Sequence, residues 1–255
     1  MPDDPLHFYQ QLARDYHLIF TDWLAAIDRQ GAALNRLIQA RRGAPPLDLL
    51  DCSCGIGTQS LGLAKLGYRV HATDLSPAAV ERAQQEANKL GVAITVGVAD
   101  FRKLVRQVAG TYDVVLSCDN SLPHLLTDQD LLLAAQNMRE KLRDDGLLLV
   151  SIRDYDHITL DRPRATEPQV IDDEAGRRIV FQVWDWSEDG TCYTINMFIL
   201  REAESGWSTN HYRTTYRALQ RSELSAILDE AGFSDIRWHV PQDTGYYQPI
   251  VTAKR

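Results

Sequence analysis

Leu47-Asp48-Leu49-Leu50-Asp51-Cys52-Ser53-Cys54-Gly55-Ile56-Gly57-Thr58 reads as a short apolar strand that ends on an acid, turns through two spaced glycines and opens a helix. Glycines at such a turn let the backbone approach a ligand and take conformations that a β-carbon obstructs. The helix that follows, about 59–66, aims its partly positive N-terminus at whatever is bound. A second strand, about 68–73, runs into Asp74, where a nucleotide-binding α/β fold places the carboxylate that holds ribose hydroxyls. Asp74 also reads as an acid preceding a helix cap, with Ser76 as the cap and Pro77 at the first helical position. It stands before that cap, however, at the strand end. The pattern implies an adenosine-bearing cofactor at the carboxyl edge of a parallel sheet.

The dinucleotide fingerprint carries a third glycine where this chain has Ser60, and a pyrophosphate needs a closer helix than serine readily permits. S-adenosylmethionine has no phosphate and tolerates a less glycine-rich turn, with Asp51 near its amino-acid end. A third strand, about 93–98, is followed by Asp100-Phe101: the acid can accept from the adenine amino group while the ring packs on its face. Asp51, the Ser53-Cys54-Gly55 turn with Gly57, Asp74-Leu75-Ser76 and Asp100-Phe101 thus form an ordered series at successive strand ends.

Two further stretches extend the series: Cys118-Asp119-Asn120-Ser121-Leu122-Pro123-His124 and Ile152-Arg153-Asp154-Tyr155-Asp156-His157-Ile158. With them, the chain from about Phe8 onward resembles class I S-adenosylmethionine-dependent methyltransferases, and among these the glycine/sarcosine N-methyltransferase family. That family also places a small residue at the Ser53 position. The resemblance implies S-adenosylmethionine as donor, S-adenosylhomocysteine as product and N-methylation of a small carboxylate-bearing amine such as glycine or sarcosine. It also implies that Cys118-Asp119-Asn120 lies under the sulfonium, that Asn120 contacts the acceptor and His124 the cofactor, and that Arg153 and Tyr216 line the acceptor pocket.

Chemistry supports several of these roles and leaves competitors. The planar fork of Arg153 fits a carboxylate bidentately, but an ion pair with Asp119, Asp154 or Asp156 would use it equally well. His124 reads alternatively as a loop histidine bonding its own backbone, and Asn120 as a turn residue. Tyr155 either bonds the acceptor or closes its pocket; with Asn120 it is the catalytic candidate. Arg213, at a strand end with Tyr216, is a further substrate candidate. Tyr9, Tyr16 and Trp23 suit a cover over the cofactor or a helix core, with Tyr16 and Trp23 taken as cofactor contacts. Tyr246-Tyr247 read as cleft lining or packing. Methyl transfer from a sulfonium needs an in-line unprotonated nucleophile, so alignment rather than a strong base carries the step.

The fold expected is α/β: a Rossmann-like, seven-stranded, mostly parallel sheet whose strand 7 runs antiparallel, as the resemblance implies. A single domain, 1–255, would comprise a helical cap at 6–42, a cofactor half at 47–152, an antiparallel insert at 168–217 acting as a lid, and a C-terminal helix and strands at 221–255. Strands are expected at about 47–52, 68–73, 93–98, 112–117 and 146–152, and helices at about 58–66, 77–90 and 128–142. Asp144-Asp145-Gly146 would turn into the fifth strand. Turn signals ending at Gly176, Gly190 and Gly206 separate about four insert strands; a helix at 221–231 and strands at 235–240 and 246–253 complete the chain.

A net charge of −8 over 255 residues argues against a general nucleic-acid or anionic-membrane binder. No apolar run approaches the ~20 residues of a membrane span. The acidic opening Met1-Pro2-Asp3-Asp4-Pro5 lacks the apolar segment of a signal peptide. Cys52, Cys54, Cys118 and Cys192 suggest a reducing, cytoplasmic setting, and the Cys52/Cys54 spacing is too tight for structural zinc. No metal is expected; the resemblance allows a homo-oligomer. Competing functions are methylation of another small-molecule acceptor, non-catalytic binding of the donor or its product, and a nicotinamide oxidoreductase. Ser60 and Asp100-Phe101 disfavour the last.

Overall fold

Short apolar strands alternating with helices build a seven-stranded sheet in the computed structural model, which describes residues 4–174, 176–204 and 206–255. Ala175 and Ser205, in two of the expected turns, and the first three residues of the acidic opening lie outside the described residues. The chain starts with α1 (Pro5–Leu12), a 3-10 turn (Tyr16–Ile19) and α2 (Trp23–Arg41). It continues through β1 (Asp48–Asp51), α3 (Thr58–Lys65), β2 (Arg69–Asp74), α4 (Pro77–Leu90), β3 (Ile94–Val98) and α5 (Leu104–Gln107). Next come β4 (Tyr112–Ser117), a second 3-10 turn (Leu122–His124), α6 (Asp128–Lys141), β5 (Leu142–Ser151) and α7 (Tyr155–Asp161). Four antiparallel strands follow: β6 (Gln169–Asp173), β7 (Gly176–Trp186), β8 (Cys192–Ala203) and β9 (Gly206–Arg217). The chain closes with α8 (Arg221–Glu230), β10 (Ser234–His239), α9 (Pro241–Thr244) and β11 (Ile250–Lys254).

The large sheet has the order β10-β11-β5-β4-β1-β2-β3. All pairs are parallel except those of β11, which runs antiparallel to both β5 and β10. Strand β1 pairs with β2 on one side and β4 on the other, so the strand order reverses there. Open α/β sheets bind ligands outside the carboxyl ends of the strands at such a switch point. Central strands buried on both faces are apolar without alternation, as Leu49-Leu50 and Val114-Val115-Leu116 show.

Two apolar layers cover the sheet. One joins Leu49, Val114 and Leu147 to Leu34 and Ile38 of α2 and Leu63 of α3. The other joins Leu50, Val115 and Leu148 to Phe8 and Leu12 of α1, Met138 of α6 and Leu224 of α8. It continues into Tyr193, Ile195 and Tyr216 on the inner face of the four-stranded sheet, so the sheets share apolar packing. Strand β8 alternates cleanly, with Tyr193, Ile195, Met197 and Ile199 buried between less buried neighbours.

Some expectations need correction. The 6–42 cap is two helices and a 3-10 turn, because Asp22 caps a new start by accepting from the Ala25 amide at 2.9 Å. Strand β5 begins at Leu142 and runs through Asp144-Asp145-Gly146, which is a register irregularity with Asp145 at φ 59 rather than a turn. Buried Leu142 already pairs with Tyr112, so the ladder starts before the bend. The last strand begins at Ile250 rather than 246, because α9 and its left-handed Gly245 occupy the approach.

Helices α2 and α3 meet backbone to backbone. A β-carbon on Gly62 would lie 2.4 Å from the Ile27 carbonyl oxygen and 2.9 Å from the Gly31 Cα. Gly62→Ala must therefore push α3 outward, and overpacking of this kind costs about 1–3 kcal/mol. Urea unfolding should show a lower midpoint at unchanged slope; an unchanged midpoint would mean the helices separate freely.

Candidate active site

The turn after β1 places Gly55 at φ 52 and Gly57 at φ 95, both in the left-handed region that favours glycine. Two buried acids pin it. Asp74 Oδ2 accepts from the Gly55 amide and Oδ1 from the Ser76 amide, each at 2.9 Å. Asp51 Oδ2 accepts from Ser60 Oγ at 2.6 Å and Oδ1 from the Ser53 amide at 3.3 Å. Ser60, which replaces the third glycine of the dinucleotide fingerprint, is thus the tie between α3 and the end of β1. Burial pushes the Asp51 carboxyl up to about 7 against its Ser60 and Ser53 bonds, and neighbouring Asp74 adds to the rise. Burial raises Asp74 as well.

A cavity of about 380 Å³ follows the carboxyl ends of the strands. Nine of the expected cofactor contacts line it: Tyr16, Ser53, Cys54, Gly55, Asp74, Leu75, Asp100, Phe101 and His124. Asp100 sits beside Arg102, whose Nη2 lies 2.8 Å from Oδ2 and whose amide donates to Oδ1 at 2.9 Å. Burial would raise this carboxyl, but the bonds from Arg102 win and hold it below the usual range. Arg102 also bonds Asp130 at 3.1 Å, and both line the cavity.

Five expected cofactor contacts lie outside the lining. Asp51 and Ser76 are buried beneath the turn, where Ser76 caps α4 by accepting from the Ala79 amide at 3.3 Å. Gly57 starts α3, its Cα side packed against Leu61 and Ala83. Cys118 faces the core beside Leu116 and Tyr246. Trp23 does not cover the cavity: it packs with Ile27, Ile56 and Leu61, and its Nε1 donates to Thr58 Oγ1 at 2.9 Å. It therefore supports Ile56 and Thr58, which do line the cavity. All four cysteines are free.

A second cluster adjoins this cavity at the ends of β4 and β5. Asp119 (φ 61) and Asn120 (φ 65) are consecutive left-handed residues. Non-glycine residues in this region concentrate at functional sites. Asn120 Oδ1 accepts from the Arg153 amide and from Tyr155 Oη, each at 3.0 Å, while its buried Nδ2 has no partner among the described residues. Arg153 Nη1 donates to Tyr193 Oη at 2.8 Å, and the guanidinium carbon lies 5.0 Å from the Trp184 ring centre and 5.3 Å from that of Tyr216. Burial works against the Arg153 charge, but the surrounding tyrosines outweigh it and its pKa rises. The ion-pair alternative does not occur among the described residues. Asp119 accepts from Tyr16 and Tyr247, while Asp154 and Asp156 face Arg221.

His124 links the two regions. It lines the cavity, stacks 4.2 Å from Tyr216, and has Nε2 3.0 Å from Tyr9 Oη. Burial pushes its pKa down to about 3, opposed by a Thr215 backbone bond and assisted by the Arg153 charge. The imidazole is neutral at physiological pH.

Arg213 does not join the cluster. Strand side chains alternate, and an odd offset from buried Tyr216 puts Arg213 on the exposed face of β9. Thr214, one residue on, faces inward with its Oγ1 3.4 Å from His124 Nδ1. Tyr193 and Trp184 were also missed; inward parity on β7 and β8 was the available signal. Tyr9 and Asp119, read from the sequence as lying near the cofactor, also line the cavity, as does Arg102, which the sequence reading did not single out.

Residues 49–146 match the family described as "Methyltransferase domain". The chain is 28% identical over 215 residues to a glycine/sarcosine N-methyltransferase of Parasynechococcus marenigrum, covering 76% of this chain and 72% of that protein. It is 34% identical over 115 residues to a ubiquinone biosynthesis O-methyltransferase of Caulobacter vibrioides, covering 45% and 42% of the two chains. Its fold matches that of CalS10, an amino pentose methyltransferase from Micromonospora echinaspora solved with S-adenosylmethionine bound. That match has a TM-score of 0.73 at 19% identity and covers 96% of this chain and 97% of the other. The Rossmann-like sheet with its antiparallel final strand, the pinned glycine turn and the methyltransferase domain at residues 49–146 lead to one conclusion: the protein is an S-adenosylmethionine-dependent methyltransferase, similar in fold to the class I enzymes and in sequence to the glycine/sarcosine N-methyltransferases.

Proposed function

We propose that this methyltransferase N-methylates a small amine that carries a carboxylate, of the size of glycine or sarcosine. The observation that carries the reading is the Arg153 guanidinium, enclosed by Trp184, Tyr193 and Tyr216 with no acidic partner among the described residues. A guanidinium held against aromatic faces keeps its fork for a planar anion. The unpartnered Nδ2 of Asn120 adds a donor beside it, and an unsatisfied buried donor costs about 1–3 kcal/mol unless a ligand takes it up. The 28% identity to a glycine/sarcosine N-methyltransferase points the same way.

S-adenosylmethionine supplies an electrophilic methyl group on a sulfonium. The cavity suits such a cationic ligand, since Asp4, Asp74, Asp100, Asp119 and Asp130 line it against Arg102. Asp100 and Phe101 would hold the adenine and Asp74 the ribose, leaving the methionine end between the β1 turn and Asp119. Arg153 would grip the acceptor carboxylate, while Asn120 and Tyr155 orient the amine toward the cavity. Positioning of this kind can lower a barrier by up to about 7–11 kcal/mol. No base stands ready: His124 is neutral with a pKa pushed down to about 3, and burial pushes the Tyr155 phenol well above 10.

Labelled S-adenosylmethionine offered with glycine, sarcosine, phenols and amino sugars tests the acceptor. Turnover confined to acceptors without a carboxylate would end this reading. Arg153→Ala should raise KM for a carboxylate acceptor about 10- to 100-fold, the size of a lost charge-assisted bond. The Kd for S-adenosylhomocysteine should stay within about 2-fold of wild type, because Arg153 does not line the donor cavity. Equal losses in both would make Arg153 structural. In a pH series, kcat/KM should rise tenfold per unit up to the acceptor amine's own pKa, because only the free amine attacks. An acceptor-independent inflection that persists in Asp51→Asn, whose native carboxyl is pushed up to about 7, would reveal an enzyme base.

A further inference from the structure

We propose that the Asp119 carboxylate binds the α-ammonium group of S-adenosylmethionine. The inference rests on the donor placement given above and adds a contact at the methionine end. Asp119 lines the donor cavity, whereas Asn120, the next residue, bonds Arg153 and Tyr155 in the neighbouring cluster. Two successive left-handed residues thus serve different compartments.

The other acids of the cavity are engaged. Asp100 and Asp130 share Arg102, Asp74 takes the Gly55 and Ser76 amides, and Asp4 caps α1 through the Leu6 amide at 3.1 Å. Asp119 differs. Its partners are two neutral hydroxyls, Tyr16 Oη at 3.1 Å on Oδ2 and Tyr247 Oη on Oδ1, and no cation of the chain reaches it among the described residues. Burial and the neighbouring Asp119 charge hold the Tyr16 phenol well above its ordinary pKa, so it stays uncharged. A carboxylate has about four lone-pair sites, so these two bonds leave room for N–H donors.

The order of strands says which group of the ligand arrives there. Along the sheet edge, Asp100 follows β3, Asp74 ends β2, the glycine turn follows β1, and Asp119 follows β4. An adenosine over β3 and β2 carries its amino-acid tail across β1 to β4. The sulfonium has no N–H to donate and the tail's carboxylate is repelled. The ammonium offers three donors. Tyr16 comes from the N-terminal 3-10 turn and Tyr247 from the segment between α9 and β11, so opposite ends of the chain fix the carboxylate's orientation.

Calorimetry on wild type and Asp119→Asn with three ligands tests the contact: S-adenosylmethionine, S-adenosylhomocysteine and 5′-methylthioadenosine, which lacks the amino-acid tail. Asparagine tolerates the left-handed backbone, so the turn survives. The first two ligands should weaken by the same factor, about 10- to 100-fold for a charge-assisted bond. 5′-Methylthioadenosine should change by less than about 2-fold, within the error of such comparisons. Unchanged affinity for the first two would overturn the proposal, whether or not the acceptor KM rises. Loss confined to S-adenosylmethionine would overturn it in favour of a sulfonium contact, and equal loss of all three would overturn it in favour of a structural role. Failure of the wild-type protein to bind any of them would strike the donor placement itself.

Discussion

The turn after β1 exists because two buried carboxylates hold it. Asp51 and Asp74 together accept from Ser53, Ser60, Gly55 and Ser76, tying the strand end, the glycine turn and two helix starts into one unit. Taking two acids out of water is unfavourable, and burial raises the pKa of both. Hydrogen bonds from amides and hydroxyls offset that cost without supplying positive charge. The consequence is a cavity floor rich in carboxylate oxygens. A cationic ligand gains from that field, which a phosphate-bearing cofactor would oppose.

The cluster around Arg153 obeys a different rule. Arg153 comes from the end of β5, while Trp184, Tyr193 and Tyr216 come from β7, β8 and β9. Aromatic faces, one phenol oxygen and a long 3.4 Å bond to Gln182 Oε1 surround the guanidinium without pairing it to an acid among the described residues. His124 stands between the two regions as a neutral spacer, bonded to Tyr9 and stacked on Tyr216. Charge is thus divided. The cavity is acidic, the Arg153 cluster carries one cation, and burial keeps the imidazole between them neutral.

The two sheets differ in what they contribute. The parallel sheet sets positions along an edge, because strands ending together bring their following loops together. The antiparallel sheet contributes walls, its inner face continuing the same apolar core. Methyltransferase chemistry needs both. A donor must be held along one edge, and an acceptor must be enclosed at the end of it.

The linear sequence was sufficient for the strand-end acids. Asp51, Asp74, Asp100 and Asn120 each close an apolar strand or follow within a few residues, and parallel strands deliver such residues to one edge whatever their side-chain packing. It was also sufficient for the glycine turn, since φ values of 52 and 95 are a property of the local backbone. Arg213 was misjudged because alternation had to be counted from an inward residue, and only packing identifies Tyr216 as one. Tyr16 and Trp23 both read as cofactor contacts, with Tyr16 favoured; the break into a 3-10 turn sends Tyr16 to the cavity and Trp23 under Thr58. The enclosure of Arg153 by Tyr193, and the meeting of Tyr16 and Tyr247 at Asp119, depend on contacts between distant segments. Local chemistry determines which residues end a strand and how a turn bends. Which side chains then share a space is decided by the burial of two sheets against a common core, and no stretch of sequence carries that information alone.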